Sequence, residues 1–340
     1  MSGAIDTGKE NSATRRLIIN RDLRPAFNLA IEEYALTEMR TDVIILWRNS
    51  AAVIIGNNQN AAEEIDTDYV TANGITVVRR QSGGGAVFHD LGNVNFTVIH
   101  ELGEDDFNNY RKFTAPIIDY LAELGVKAEF LGRNDLVIDG MKFCGNAQAV
   151  KKHRIMHHGC ILYSADFGHL AGALRPRKAK IESKGVKSVR ARVTNIADHM
   201  HSPMPVEDFF NGLADYFIRG APDIEPYELT ADDIAAAERL AREKYSTWEW
   251  NFGRSPAYNM EREIRGGYGT VSVKLFVERG VIEEIHIFGD FFGLSDKSGL
   301  ESALTGVKHE TQAIKNALES VDVGSYISGM TAEQFIEIIR

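Results

Sequence analysis

The sequence predicts an α+β protein, and three observations carry that reading. Short apolar strands are joined by tight turns rather than by regular βαβ units. Amphipathic segments at helical spacing sit between groups of strands. Near residue 248 the pattern changes, and a strictly alternating hairpin followed by closing helices forms a second, smaller α+β unit. The expected organisation is a flexible polar tail over 1–13, a main domain over 14–247 and a small domain over 248–340.

In chain order, Arg15–Ile19 reads as a strand. The stretch from Pro25 places Phe27, Ile31, Tyr34 and Ala35 on one face of a helix. Val43–Trp47 and Ala52–Ile55 are apolar strands, the second ending at Gly56. Ile75–Arg79 is another strand, leading into a glycine-rich loop and then Val94–Ile99. A second helix is expected to be capped by Thr114, with Pro116 in its first turn, Ile117, Ile118, Leu121 and Leu124 buried, and Gly125 at its end. Leu136-Val137-Ile138 and Met141-Lys142-Phe143 flank Asp139-Gly140, a strong two-residue hairpin signal. Tyr227 to Trp248 is mostly helical, with Leu229, Ile234, Ala237 and Leu240 at helical spacing. Val271, Val273, Leu275 and Val277 alternate, Glu278-Arg279-Gly280 turns the chain, and Ile282, Ile285 and Ile287 follow. Thr331 and Gln334 make a capping box for the last helix.

Composition bounds the function classes. The 340-residue chain has 44% hydrophobic and 25% charged residues, enough for a sizeable core. Its net charge of −10 argues against a nucleic-acid partner engaging the whole surface. Two cysteines, Cys144 and Cys160, form neither a CxxC pair nor a zinc-spaced set, which fits a reducing compartment. The N-terminus lacks an apolar signal segment, and no apolar run nears the roughly 18 residues of a membrane span. A cytoplasmic protein without a membrane partner is expected.

Four segments carry chemistry. In Arg79 to Asp90, the glycines Gly83, Gly84 and Gly85 bring the backbone close to a ligand. With Arg80 and the Ser82 hydroxyl they suit a carboxylate or phosphate. The bland alternative is a glycine-rich turn between strands. Neither a Walker A sequence nor a GxGxxG fingerprint occurs. In Asn134 to Ala147, a two-residue turn at Asp139-Gly140 pairs Val137 with Lys142 and Asp135 with Cys144. Asp135, Val137, Lys142 and Cys144 then share one face, and Leu136, Ile138, Met141 and Phe143 the core face. Lys142 is thereby held on a rigid hairpin, where it can neutralise charge developing as a carboxylate and an α-phosphate combine; the competing reading is an ordinary exposed strand lysine. His157 and His158 face opposite sides of a strand, so they are poor partners for one metal; one lines the site and the other is structural. The run from Arg175 to Arg192 holds eight basic residues and one acidic one. It reads as a solvated loop, a loop closing over polyphosphate, or a docking surface for an acidic partner.

Taken together, RRxSGGGAVxHD (Arg79–Asp90), DGxKxxGxA (Asp139–Ala147), HHG (His157–Gly159) and SVRxRVTN (Ser188–Asn195) resemble the lipoate–protein ligase family from about Arg16 to the C-terminus. The resemblance implies a biotin/lipoate-ligase-like catalytic domain with mixed and antiparallel sheets, followed by the accessory domain of bacterial ligases. It implies an acid–amino acid ligase for lipoate salvage. Lipoate and ATP give lipoyl-AMP and pyrophosphate, and the lipoyl group passes to a lysine of an apo lipoyl domain of an E2 subunit or a glycine-cleavage H protein. It further implies that Lys142 is catalytic, and that Arg80, Ser82, Gly83, Gly84, Gly85, Ala86, Val87 and His89 line the lipoyl-adenylate pocket. Gly145, Ala147, His158, Gly159 and Lys184 join that set. Asn134 and Asp135 would lie near the nucleotide, with Asp135 on Mg2+. Cys144 and Cys160 stand where many ligases have serine or threonine. They keep open the alternative of a Cys-dependent octanoyl or lipoyl transferase acting without ATP. The segment Trp250–Pro256 and Gly289–Phe292 resembles the ligase accessory domain, which the transferases usually lack.

Overall fold

The structure is a computed structural model and describes residues 14–174, 192–253, 260–278, 280–309 and 311–339. The expected tail, the basic run over 175–191 with Lys184, and residues 254–259 lie outside the described residues.

The strands are β1 (Arg15–Ile19), β2 (Val43–Trp47), β3 (Ala52–Ile55), β4 (Thr76–Arg79), β5 (Val87–His89), β6 (Asn93–Glu101), β7 (Glu129–Leu131), β8 (Asp135–Ile138), β9 (Met141–Lys151), β10 (Arg154–Leu162) and β11 (Ile224–Pro226). They are followed by β12 (Met260–Gly266), β13 (Gly269–Glu278) and β14 (Val281–Gly289). Eight of them form one mixed sheet in the order β11-β1-β2-β6-β10-β9-β8-β7. From β2 to β7 every pair is antiparallel, and β7–β8, β8–β9 and β9–β10 are consecutive hairpins. At the other edge β1 and β2 are parallel and joined by the helix Pro25–Thr37. That crossover departs from the hairpin-only reading of the strands, because an apolar strand–helix–strand run of this length suits either connection. The strands β4-β3-β5 form a small separate sheet that carries the glycine loop.

Period-two alternation divides the main sheet between two cores. On β2, Ile44 and Leu46 enter one cluster with the helices Tyr110–Glu123 and Val206–Gly220. Val43, Ile45 and Trp47 enter the other, beneath Pro25–Thr37. The second cluster borders the pocket described below.

Three local expectations change. The helix expected to start at Thr114 begins a turn earlier, at Tyr110, with the Asn109 side chain accepting from the Lys112 N–H. Thr114 is buried within it, its hydroxyl donating to the Tyr110 carbonyl at 2.9 Å, and Pro116 sits inside the helix. In Ala231–Leu240, Ala237 is buried but Ile234 is exposed, since the stripe facing Pro25–Thr37 is centred on Asp233 and Ala237. The hairpin β8–β9 keeps Val137 opposite Lys142, then a β-bulge shifts Leu136 opposite Cys144 and Asp135 opposite Gly145.

In the C-terminal part, β12-β13-β14 form an antiparallel sheet. Its inner face, with Val271, Val273, Leu275, Ile282, Ile285 and Ile287, packs on Leu300, Leu304, Ile314, Phe335 and Ile338 of the closing helices. The Thr331–Gln334 capping box has both of its hydrogen bonds.

Candidate active site

The register of the main sheet builds the floor of a pocket. One cross-strand row runs Trp47–Asn95–Cys160–Gly145–Asp135, and the next runs Ile45–Thr97–His158–Ala147. Directly paired residues share a face, so these rows present their side chains together. The glycine loop lies across them, giving a pocket lined by Arg80, Gly84, Gly85, Ala86, Val87 and His89 on one side. Asn134, Lys142, Gly145, Ala147, His158 and Gly159 line the other.

Lys142 stands at the mouth, with Nζ 2.7 Å from Asp135 Oδ1 and both side chains about a third exposed (36% and 37%). The bulge makes this diagonal contact: Asp135 faces Gly145, and the lysine chain passes over the glycine. A Cβ on Gly145 would sit 2.8 Å from Lys142 Nζ. The lysine backbone is also fixed, its N–H donating to the Arg192 carbonyl and its carbonyl accepting from Thr194 N–H, each at 2.9 Å. Asn134 is tied to Asn146 through side-chain and backbone hydrogen bonds.

Deeper in, a buried chain of hydrogen bonds fixes His158. Its Nε2 meets Ser82 Oγ at 2.6 Å and its Nδ1 meets Glu32 Oε1 at 2.9 Å. Thr97 donates to the same carboxylate oxygen at 2.5 Å and accepts from Trp47 Nε1 at 3.0 Å. Arg80 donates to Ser82 Oγ and to the carbonyls of Ile54, Gly83 and Gly85. Burial brings its guanidinium down to about 10, still charged at neutral pH. Most of its donors therefore shape the loop rather than reach outward, a narrower role than the sequence suggested. His157 lies on the opposite face, stacked on Phe113 with ring centroids 4.7 Å apart. Burial holds it neutral, well below the usual imidazole range.

His89 is also neutral, its pKa brought down to about 3 by burial and then by the nearby Arg80 charge. Asn28 Nδ2 donates to Asn49 Oδ1, so Asn49 presents its amide N–H to His89 Nδ1 at 3.1 Å. The ring proton is thereby assigned to Nε2.

Not every expected residue lines the pocket. Ser82 acts from behind through His158, and Gly83 is pressed against the C-terminal part, where a Cβ would meet the Phe291 carbonyl at 2.2 Å. Asp135 reaches the site through Lys142. Lys184 lies outside the described residues. Sequence reasoning missed Leu29, Trp47, Ile54, Asn95 and Asn146, which line the pocket, and Glu32, which anchors His158. Asn93, Asn95 and Thr97 alternating with Val94 and Phe96 were the available signal for a polar strand face.

The thiols are placed apart. Because of the bulge, Cys144 turns away from the face of Lys142 and is fully buried in the main core beside Phe143. That corrects its expected position. Cys160 lines the pocket, where its sulfur accepts from Asn93 Nδ2 at 3.1 Å. Burial pushes both thiols up, Cys160 to about 12.

The C-terminal part closes on the glycine loop. The Phe291 carbonyl accepts from Gly84 N–H and from Asn58 Nδ2, both at 3.4 Å, and Gly289 N–H donates to the Asn58 carbonyl at 2.7 Å. Phe292 is buried beside Tyr110 and Ala147, with the Arg133 guanidinium 4.5 Å from its ring centre.

Comparison with known proteins agrees with this geometry. The lipoyl protein ligase A/B catalytic domain family matches residues 24–218, and the bacterial lipoate protein ligase C-terminus family matches residues 255–339. The chain is 43% identical to a lipoate–protein ligase of Bacillus subtilis (strain 168) over 93% of this chain and 96% of that one. It is 42% identical to lipoate–protein ligase 1 of Staphylococcus aureus over the same shares of each. A crystal structure of P. falciparum LipL1 in complex with lipoate shares the fold at a TM-score of 0.78 and 22% identity, covering 96% of this chain and 98% of that one. A lipoate–protein ligase A bound with ATP superimposes at a TM-score of 0.61 and 29% identity, over 71% of this chain and 99% of that one. The chain is an enzyme of the lipoate–protein ligase family.

Proposed function

We propose that the enzyme activates lipoate with ATP and transfers the lipoyl group to a lysine of an apo lipoyl domain or H protein. The observation that carries this reading is Lys142, held by its backbone and facing a glycine loop at the mouth of a largely apolar pocket. In the first step a lipoate carboxylate oxygen attacks the α-phosphorus of ATP, and pyrophosphate leaves. Two anions must meet, and the Lys142 ammonium offsets their repulsion. In the second step the acceptor amine attacks the acyl carbon, AMP departs, and the amine gives up its proton. Magnesium, which when bound neutralises phosphate charge, fits the donor set: the partly exposed Asp135 carboxylate suffices where phosphates and water complete the shell. Among the described residues no cluster of three metal-ligating side chains competes for that role.

Neither thiol is set up as a nucleophile, because both are protonated at neutral pH and Cys144 lies in the core. This favours ligation over a cysteine-dependent transfer. An archaeal relative has been solved in a study of a bipartite ligase and its E2 lipoyl domain, which supports the acceptor class. The same reading assigns activation and transfer to residues 14–247 and an accessory role to 248–340, in a reducing cytoplasm. Lipoate-dependent exchange between ATP and labelled pyrophosphate tests it, followed by weighing apo carriers after reaction. The wild type should show exchange and a lipoyl mass increment, and Lys142→Ala should abolish both. Exchange at wild-type rate in Lys142→Ala, or none in the wild type, would overturn the assignment.

A further inference from the structure

We infer that Asn95 and His89 form a polar subsite at the deep end of the acyl pocket, one that selects a chain ending in sulfur over a plain alkyl chain. The inference rests on the ligase reading above and names what that pocket discriminates.

Strand β6 presents Asn93, Asn95 and Thr97 on the pocket face, with Val94 and Phe96 in the core behind. The outer two are satisfied: Asn93 by Asp90 N–H and Cys160, Thr97 by Glu32 and Trp47. Asn95, between them, is 1% exposed and lines the pocket, yet neither Nδ2 nor Oδ1 has a hydrogen-bond partner among the described residues. His89 is 3% exposed and lines the same pocket, and its Nε2 is likewise without a partner. The Asn28–Asn49 relay assigns the ring proton to that nitrogen, making it a donor. Buried polar groups in native proteins are normally paired, so two orphan donors in one cavity, Asn95 Nδ2 and His89 Nε2, point to a ligand whose end accepts from them.

Position identifies which end of the ligand. Asn95 sits between Trp47 and Cys160 in the row that ends at Gly145 and Asp135. Two strand spacings, roughly 10 Å, separate it from Gly145 under the Lys142 chain. A medium-chain acid with its carboxylate at Lys142 would lay its far end against Asn95, His89 and Trp47. Leu29 and Ile54 supply the apolar walls. A cyclic disulfide at that end offers polarisable sulfur lone pairs to the two donors. An alkyl end of the same length returns nothing to them, and discrimination follows from leaving buried polar groups unpaired.

The test compares lipoate with octanoate, which has the same carbon chain without sulfur. Pyrophosphate exchange and calorimetric binding of each acid are measured on the full-length wild type and on Asn95→Leu, with Asn95→Ala carrying the same ratio should the leucine variant fail to fold. The wild type should prefer lipoate by about tenfold or more. The substitution should cut that ratio by roughly 5- to 20-fold, mainly by improving octanoate. A ratio unchanged within about twofold, with both acids still used, would overturn the subsite and leave the ligase intact. If neither acid binds or drives exchange in the wild type, the ligase reading itself fails.

Discussion

Lys142 Nζ and Asp135 Oδ1 meet at 2.7 Å only because the hairpin between them is bulged and the residue beneath the lysine chain is glycine. The contact couples two pocket-mouth groups of opposite charge whose backbones are anchored separately. Asp135 pairs with β9, and Lys142 is clamped by Arg192 and Thr194.

That dependence makes Gly145→Ala informative. The new methyl would occupy space 2.8 Å from Nζ and 2.9 Å from Cε of Lys142, so the ammonium must move. A displacement near 1 Å in a positioned group costs on the order of 10²-fold in rate. Pyrophosphate exchange should fall by roughly 10- to 100-fold while the unfolding midpoint shifts little, since the lysine end is partly exposed. Unchanged exchange kinetics would show that the lysine needs no such clearance.

Glu32 carries a second prediction. Its carboxylate is 2% exposed and accepts from both His158 Nδ1 and Thr97 Oγ1. Glu32→Ala leaves both partners unmatched in a buried setting and should destabilise the fold by about 3 kcal/mol. Glu32→Gln keeps an acceptor oxygen and should lose less. Urea unfolding of the two variants separates them, and equal losses would mean that the charge alone matters.

Acid sensitivity follows from the buried histidines. His89 and His157 are held neutral in the folded state, far below the unfolded value near 6.5. Between that value and the depressed folded pKa, about 3 for His89, the unfolded chain binds the extra protons. Stability is therefore complete above pH 6.5 and declines as pH falls below it, by up to about 1.4 kcal/mol per unit for each group. Denaturation free energies measured from pH 7.5 to 5 should trace that decline. His157→Leu should reduce the slope by about one proton, and an unaltered slope would count against a neutral buried His157.

Much of this was legible in the residues, and the rest fails for identifiable reasons. Asp139-Gly140 specified the hairpin, and alternation placed Lys142 and Asp135 on one face, where they stand. The bulge was invisible, because inserting Phe143 between two apolar partners changes no pattern in the sequence. Adjacent histidines were separable by period two alone, and His158 and His157 lie on opposite faces accordingly. Glu32 and Trp47 carry no local signature: a helix and a distant strand bring them to His158 and Thr97 through tertiary packing. Thr114 competed with Asn109 for the cap, and the earlier residue won because Tyr110 and Phe113 are buried in the first turn.

The cysteines decide between two ways of moving an acyl group. A nucleophilic thiol needs a lowered pKa and access to the substrate. Cys144 has neither, being enclosed with Leu136 and Phe143, and Cys160 has contact with the pocket but a pKa pushed up to about 12 by burial. Native protein at pH 7.5 should resist an aromatic disulfide reagent at both positions, and saturating lipoate should slow Cys160 further. Cys144→Ala removes a small buried group and should cost roughly 1 kcal/mol of stability with exchange intact. Cys160→Ser should retain exchange and carrier modification within a few-fold, because in the mechanism proposed above an adenylate supplies the activated acyl group and no enzyme-bound thioester is required. Loss of carrier modification in Cys160→Ser, with a thioester trapped on the wild type by rapid acid quench, would place the thiol on the reaction path after all.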